Sequence, residues 1–197
     1  MIRFYDYAEV ACLERGVGLP EGATAGIAFA AENDLPLLLG QISRAQWVAA
    51  IAATLAERVS ESEARALAVA FDGARFWADA AVVGMLRQVR AHCPVVLVTN
   101  ATVWLDEDLA LLGLTDLADE VINSSLVGVA KPERRIFEMA ADRVGAAADR
   151  CLFVDDRQEN VDASIRLGMQ GIVYRTPADL RVALSPILSS GVLAPPE

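Results

Sequence analysis

The stretch CLFVDDRQEN, Cys151 to Asn160, decides how this chain is read. Four residues suited to a buried strand run straight into two adjacent carboxylates, Asp155 and Asp156. The same texture recurs along the second half of the chain. WADAAVVGMLRQVRAH, from Trp77, feeds the β-rich PVVLV, and WLDEDLALLG leads to EVINS. ERRIFEMAADRVG precedes CLFV, and ENVDASIRLG precedes GIVY. Short continuous apolar runs separated by amphipathic helices indicate parallel strands covered on both faces. Residues 76–197 therefore read as an α/β core with a Rossmann-like parallel sheet. The tail SSGVLAPPE reads as frayed.

Residues 1–75 have a different texture and read as helix throughout, with no convincing strand. Ser43 is placed to cap a helix carrying Trp47, Ile51, Leu55 and Val59 at helical spacing. Ser60 and Glu63 form a capping-box pair ahead of a second helix. This half is expected to be a small α-helical cap. Its aromatic residues Trp47 and Phe71, like Trp77 and Trp104 in the core half, are better explained by packing or surface anchoring than by cofactor contact.

Bulk composition narrows the function. Hydrophobic residues make up 54% and charged residues 22%, as in a globular protein. Acids outnumber bases 27 to 17, for a net charge of −10. That argues against a nucleic-acid or anionic-membrane partner, which Lys and Arg must neutralise. A small phosphorylated ligand stays open, because one bound divalent cation inverts the local field. The cysteines Cys12, Cys93 and Cys151 form no C-x-x-C pattern, and His92 is the only histidine. A disulfide framework, a zinc site and a His-assisted nucleophile are all disfavoured, and Cys93 and Cys151 read as buried free thiols. No signal peptide or membrane span is legible, so a cytoplasmic protein is expected.

In open α/β sheets, ligands bind beyond the carboxyl ends of the strands. Thr99 and Asn100 follow the first apolar run and can hydrogen-bond a phosphate oxygen. Asp155 and Asp156 offer the hard oxygens that suit Mg²⁺. Between them in sequence, Lys131 is expected just outside a helix with Pro132 in its first turn, its ammonium near an anion at the helix N-terminus. Singly, each has a plain alternative: turn chemistry for Thr99–Asn100, a solvated helix start for Lys131–Pro132, a helix cap for the Asp pair. Their conjunction, in this order and at strand ends, is the specific signal.

VVLVTN, VAKPERRIFEMA and LFVDDRQENVDASIRLG together resemble motifs two, three and four of the haloacid dehalogenase (HAD) superfamily. The nearest resemblance is to its small phosphatases acting on sugar phosphates and to the N-terminal domain of soluble epoxide hydrolase. It is strong over about Trp77 to Tyr174; LGQISRAQW weakly resembles a segment of that family's helical cap. The resemblance implies Mg²⁺-dependent hydrolysis of a small phosphorylated metabolite through an aspartyl-phosphate. Thr99 and Asn100 would bind the phosphoryl group, and Lys131 would neutralise charge. Asp156 would ligate Mg²⁺ directly, Asp155 through a water, with Asn160 in support.

The resemblance also implies a first strand ending in Asp-x-Asp, lying between the strands that end at Val98 and Val154. This chain shows no such segment. Asp6 is a poor candidate, since it puts Ala8 at the acid/base position and Arg3 inside a buried strand. Met1 aligns better with a valine just after that motif, and a GTG valine codon can also initiate translation; the expectation is a start assigned late. Losing the strand's ladder bonds costs roughly 5–15 kcal/mol, comparable with a domain's whole stability. The flanking strands would then close up, another segment would fill the gap, or the fold would suffer. This chain is accordingly expected to lack its nucleophile and to be inactive by itself. The alternative is a non-catalytic pseudoenzyme that binds phosphate and metal in a regulatory role. Substrate identity and oligomeric state are not legible.

Overall fold

The computed structural model describes residues 1–189, so most of the SSGVLAPPE tail lies outside the described residues. The chain forms two compact units: Arg3–Trp77, and Met1–Ile2 together with the chain from Ala78 onward.

The first unit is a helical bundle: α1 (Ala8–Gly16), α2 (Ala23–Ala28), α3 (Ala31–Leu38), α4 (Arg44–Leu55) and α5 (Glu61–Asp72). Both expected caps form. Ser43 and Gln46 make a reciprocal box at the start of α4, and Ser60 and Glu63 do the same for α5. Trp47, Ile51 and Leu55 of α4 and Phe71 of α5 are buried. The Phe71 ring stacks on Tyr7 at 4.7 Å between centroids and tilts against Trp47 at 6.0 Å. Glu14 is almost fully buried, and its two carboxylate oxygens accept the Gly22 and Thr24 amides at 2.7 Å each. It thus pins the α1–α2 turn.

The all-helix reading of this half is corrected at its ends. Arg3–Asp6 forms strand β1 and pairs with β2 (Arg75–Ala78) in a two-stranded ribbon. Stacking of Phe4 on Trp77 and of Tyr5 beside Phe76 holds it together. Trp77 is therefore a strand residue, half exposed, and the next helix starts later than its sequence suggests, at α6 (Ala80–Arg90). Asp79 caps it by accepting the Ala81 and Val82 amides.

The second unit alternates as expected: α6, β3 (Val96–Thr99), α7 (Leu105–Leu111), β4 (Glu120–Asn123), α8 (Ser124–Val127), α9 (Arg134–Arg143), β5 (Leu152–Asp155), α10 (Gln158–Leu167), β6 (Gln170–Val173) and α11 (Pro177–Ser189). The strands are parallel within pairs, β3 with β4 and β5 with β6. No hydrogen-bonded strand joins β3 to β5 among the described residues, so the two pairs stay separate sheets. Helices nevertheless cover both faces of each pair. Val96, Val98 and Phe153 pack against Ile136, Phe137 and Ala163 of α9 and α10. On the opposite face Val95, Leu152 and Val154 meet Val82, Met85 and Leu180, and Leu97 meets Val83 and Leu117. Cys93 and Cys151 are free thiols only half buried at the margins of these clusters, and burial raises the pKa of each.

Helix α10 lies so close to β6 that a Cβ on Gly171 would come 2.6 Å from Ile165 Cγ1 and 2.9 Å from Val161 Cγ1. Val161 is buried and Ile165 half exposed, so relief requires the exposed side chain to turn away and the buried one to shift. Gly171→Ala is expected to lose about 1–3 kcal/mol through overpacking, read as a lower urea midpoint at unchanged m-value.

Candidate functional site

Strand alternation sends Asp155 inward, where it is 5% exposed, while the Asp156 side chain is 59% exposed. The two adjacent carboxylates therefore have different tasks. Asp155 Oδ1 accepts the Arg157 amide at 2.9 Å and the Asn160 side-chain amide at 3.0 Å. Its Oδ2 accepts Lys131 Nζ at 2.7 Å. Burial pushes the Asp155 carboxyl up, but the Lys131 charge and these hydrogen bonds outweigh it and hold the group below the usual carboxylate range. Asn160 is itself buried. Asp156 keeps its carboxylate toward solvent, with the Met1 amine 3.8 Å away. Its backbone carbonyl accepts Arg175 Nη1 at 3.3 Å.

Lys131 is the hinge of the site. Besides Asp155, its ammonium donates to the Val98 carbonyl at 2.8 Å, bridging the ends of β3 and β5. It stands 5.8 Å from the centre of the Phe153 ring. Among the described residues, two of its three protons are thus committed. Lys131 lies just outside helix α9, as expected, but Pro132 does not fall in that helix's first turn. Helix α9 begins only at Arg134 with Glu133 as its cap residue, so Pro132 precedes the helix, and the ammonium folds back to a buried carboxylate. A charge-assisted bond to Asp155 is favourable, whereas the positive end of a helix offers an ammonium no attraction of its own.

The Asn100 side chain meets the Lys131 backbone. Its Oδ1 accepts the Lys131 amide at 2.7 Å and its Nδ2 donates to the Lys131 carbonyl at 2.9 Å. Asn100 clamps the lysine backbone on both sides. The Thr99 hydroxyl, at the last position of β3, carries no hydrogen bond among the described residues.

Two residues escaped the sequence reading. Asn123 and Ser124, both buried at the end of β4, secure the loop after β3. Asn123 Nδ2 donates to the Thr102 carbonyl at 2.8 Å, and Ser124 Oγ accepts the Ala101 amide at 3.1 Å. The signal was available: EVINSS places an amide and a hydroxyl directly after an apolar strand, as VVLVTN does.

Residues 12–168 match the haloacid dehalogenase-like hydrolases. The chain belongs to that family. It is 32% identical over 82 residues to a phosphatase of Mycobacterium tuberculosis, covering 42% of this chain and 38% of that protein. It is 34% identical over 82 residues to the glyceraldehyde 3-phosphate phosphatase of Methanothermobacter thermautotrophicus, covering 41% and 36%. The matches thus span well under half of these relatives. In fold, it resembles a HAD-family enzyme of Bacteroides thetaiotaomicron solved with magnesium and inorganic phosphate. That likeness has a TM-score of 0.64 at 17% identity, over 88% of this chain and 89% of the other. No helix among the described residues is long and apolar enough to cross a membrane.

Proposed function

We propose that this HAD-like chain carries the phosphate- and Mg²⁺-binding part of a phosphomonoester hydrolase acting on a small phosphorylated metabolite. The observation that supports it is the Lys131 ammonium, held between the ends of β3 and β5 by the Val98 carbonyl and the Asp155 carboxylate, with the exposed carboxylate of Asp156 at the next position after Asp155. The phosphatase relatives and the magnesium–phosphate complex of the fold neighbour point the same way.

The donor set fits Mg²⁺. Asp156 supplies hard oxygens open to solvent, and no group of three His, Cys, Asp or Glu side chains gathers among the described residues. Mg²⁺ accepts such a site, since it keeps several waters and takes one or two carboxylates, whereas a zinc site would need more protein ligands. Asp156 would hold the ion, with Asp155 reaching it only through water because Lys131 occupies its inner oxygen. A bound Mg²⁺ supplies charge neutralisation at the phosphoryl oxygens. The chain's own groups do the positioning. Lys131 directs its third proton to a phosphoryl oxygen, the Thr99 hydroxyl donates to another, and Asn100 keeps the lysine backbone still.

Asp155 is committed to Lys131 and Asp156 would be committed to the cation, so neither is free to attack phosphorus; the family resemblance implies a further aspartate for that step. With the residues of this chain alone, p-nitrophenyl phosphate is expected to turn over negligibly. Binding is the sharper test. Titration of the purified chain with inorganic phosphate should show affinity about tenfold weaker without Mg²⁺, a difference of about 1.4 kcal/mol. Asp156→Ala should erase that difference while leaving stability within about 0.5 kcal/mol, as expected of an exposed side chain. Absence of any phosphate binding, with and without Mg²⁺, would sink the reading.

A further inference from the structure

Two side-chain clamps of the same form stand in series at the ends of β3 and β4. In the first, Asn100 closes both backbone groups of Lys131, accepting the amide at 2.7 Å and donating to the carbonyl at 2.9 Å. In the second, Ser124 closes both backbone groups of Ala101, the residue next to Asn100. Its Oγ accepts the Ala101 amide at 3.1 Å and donates to the Ala101 carbonyl at 3.2 Å. Asn123 extends this clamp by one residue, donating from Nδ2 to the Thr102 carbonyl at 2.8 Å. Its Oδ1 accepts the amide and hydroxyl of Ser125 at 3.2 and 2.9 Å, which fixes the orientation of the Asn123 amide.

The parallel register sets Asn123 beside Thr99, so the second clamp reaches across from the neighbouring strand end. Residues 100–102 belong to neither strand nor helix, and side chains rather than a ladder hold their backbone. Ser124 is fully buried, and Asn123 and Ala101 are each 3% exposed. At that depth a lost partner leaves a backbone group unsatisfied, so the loop shifts to find another. Lys131 has the same need. It stands outside α9, its backbone held by Asn100 and its ammonium by the Val98 carbonyl and Asp155.

We propose that Ser124 and Asn123 are positioning residues for the Lys131 ammonium, acting through Ala101, Thr102 and Asn100. Removing the Ser124 hydroxyl frees the Ala101 backbone, lets the Asn100 amide swing and loosens the lysine backbone that it grips. The ammonium is aimed from that backbone, so its hold on an anion weakens. The effect on phosphate rests on the phosphatase reading; the coupling between Ser124 and Lys131 does not.

Ser124→Ala, Asn100→Ala and the double variant of the full chain test this. Amide hydrogen exchange followed by NMR should show the Lys131 amide exchanging about tenfold faster in Ser124→Ala. The amides of Met85 in α6 and Phe137 in α9, which report general opening, should keep their protection. Inorganic phosphate titrated with Mg²⁺ present should bind roughly three- to tenfold more weakly to Ser124→Ala. The double variant should lose no more than Asn100→Ala alone, because that substitution already breaks the path. Unchanged exchange at Lys131, or phosphate losses that add in the double variant, would overturn the proposal and leave Ser124 a structural part of β4. If the unsubstituted chain binds no phosphate, the phosphatase reading fails and the exchange comparison alone decides the coupling. Should Ser124→Ala not fold, Ser124→Cys keeps a weak donor of similar size and should accelerate Lys131 exchange to a smaller degree; exchange equal to the unsubstituted chain would refute the coupling.

Discussion

Lys131→Met should lower stability by about 3 kcal/mol at neutral pH, the cost of leaving one member of a buried ion pair alone. For a chain of this size that is a fall of roughly 10 °C in Tm. The methionine fills similar space, so the loss reports the uncompensated Asp155 carboxylate, which is 5% exposed, rather than a cavity. The pH dependence separates this cause from general damage. In the wild type, Asp155 titrates below its unfolded range. Its contribution is fully present above the unfolded pKa and is lost as pH falls through the folded one. Without Lys131 the largest lowering influence is gone and burial dominates, which raises the folded pKa above the unfolded one. The variant's penalty should then be greatest near pH 7 and shrink as the pH approaches 4. Denaturant curves at several pH values check this; a deficit that stays constant with pH would refute the ion-pair account. If Lys131 binds phosphate as proposed, the same variant should also lose phosphate binding, because it removes the ammonium.

Phe137→Ala is the second large effect. Phe137 is fully buried, and its ring meets that of Phe153 edge-on, 5.0 Å between centroids at 89°. Phe153 in turn lies beneath the Lys131 ammonium. Truncation removes a large side chain and leaves a cavity, a loss of about 3–5 kcal/mol, which approaches the lower end of a domain's total stability. Phe137→Leu retains most of the volume and should cost about 1.5 kcal/mol or less. Urea midpoints of the two variants test the gradation. Similar small losses for both would mean that this side chain is not part of the support under the site.

The elements legible in the sequence are those whose causes are local. Ser43 and Gln46, or Ser60 and Glu63, lie three residues apart and form their capping boxes whatever the rest of the fold does. The apolar runs ending at Thr99 and Asp155 announce strands and place polar residues at their ends, and the structure has β3 and β5 ending at those two residues. β1 could not be seen, because Arg3–Asp6 is bounded by an arginine and an aspartate with no continuous apolar run, and its partner strand begins only at Arg75.

What only the tertiary structure decided is the division of labour within the site. Asn100 and Lys131 are 31 residues apart, and Lys131 and Asp155 are 24 apart. No local preference tells an asparagine to clamp the backbone of a lysine far along the chain, or tells one of two neighbouring aspartates to turn inward. Those choices follow from which groups the packed strands bury together. A buried polar group must find a partner wherever the fold places one, whereas a helix cap or an apolar run carries its cause in its own neighbouring residues.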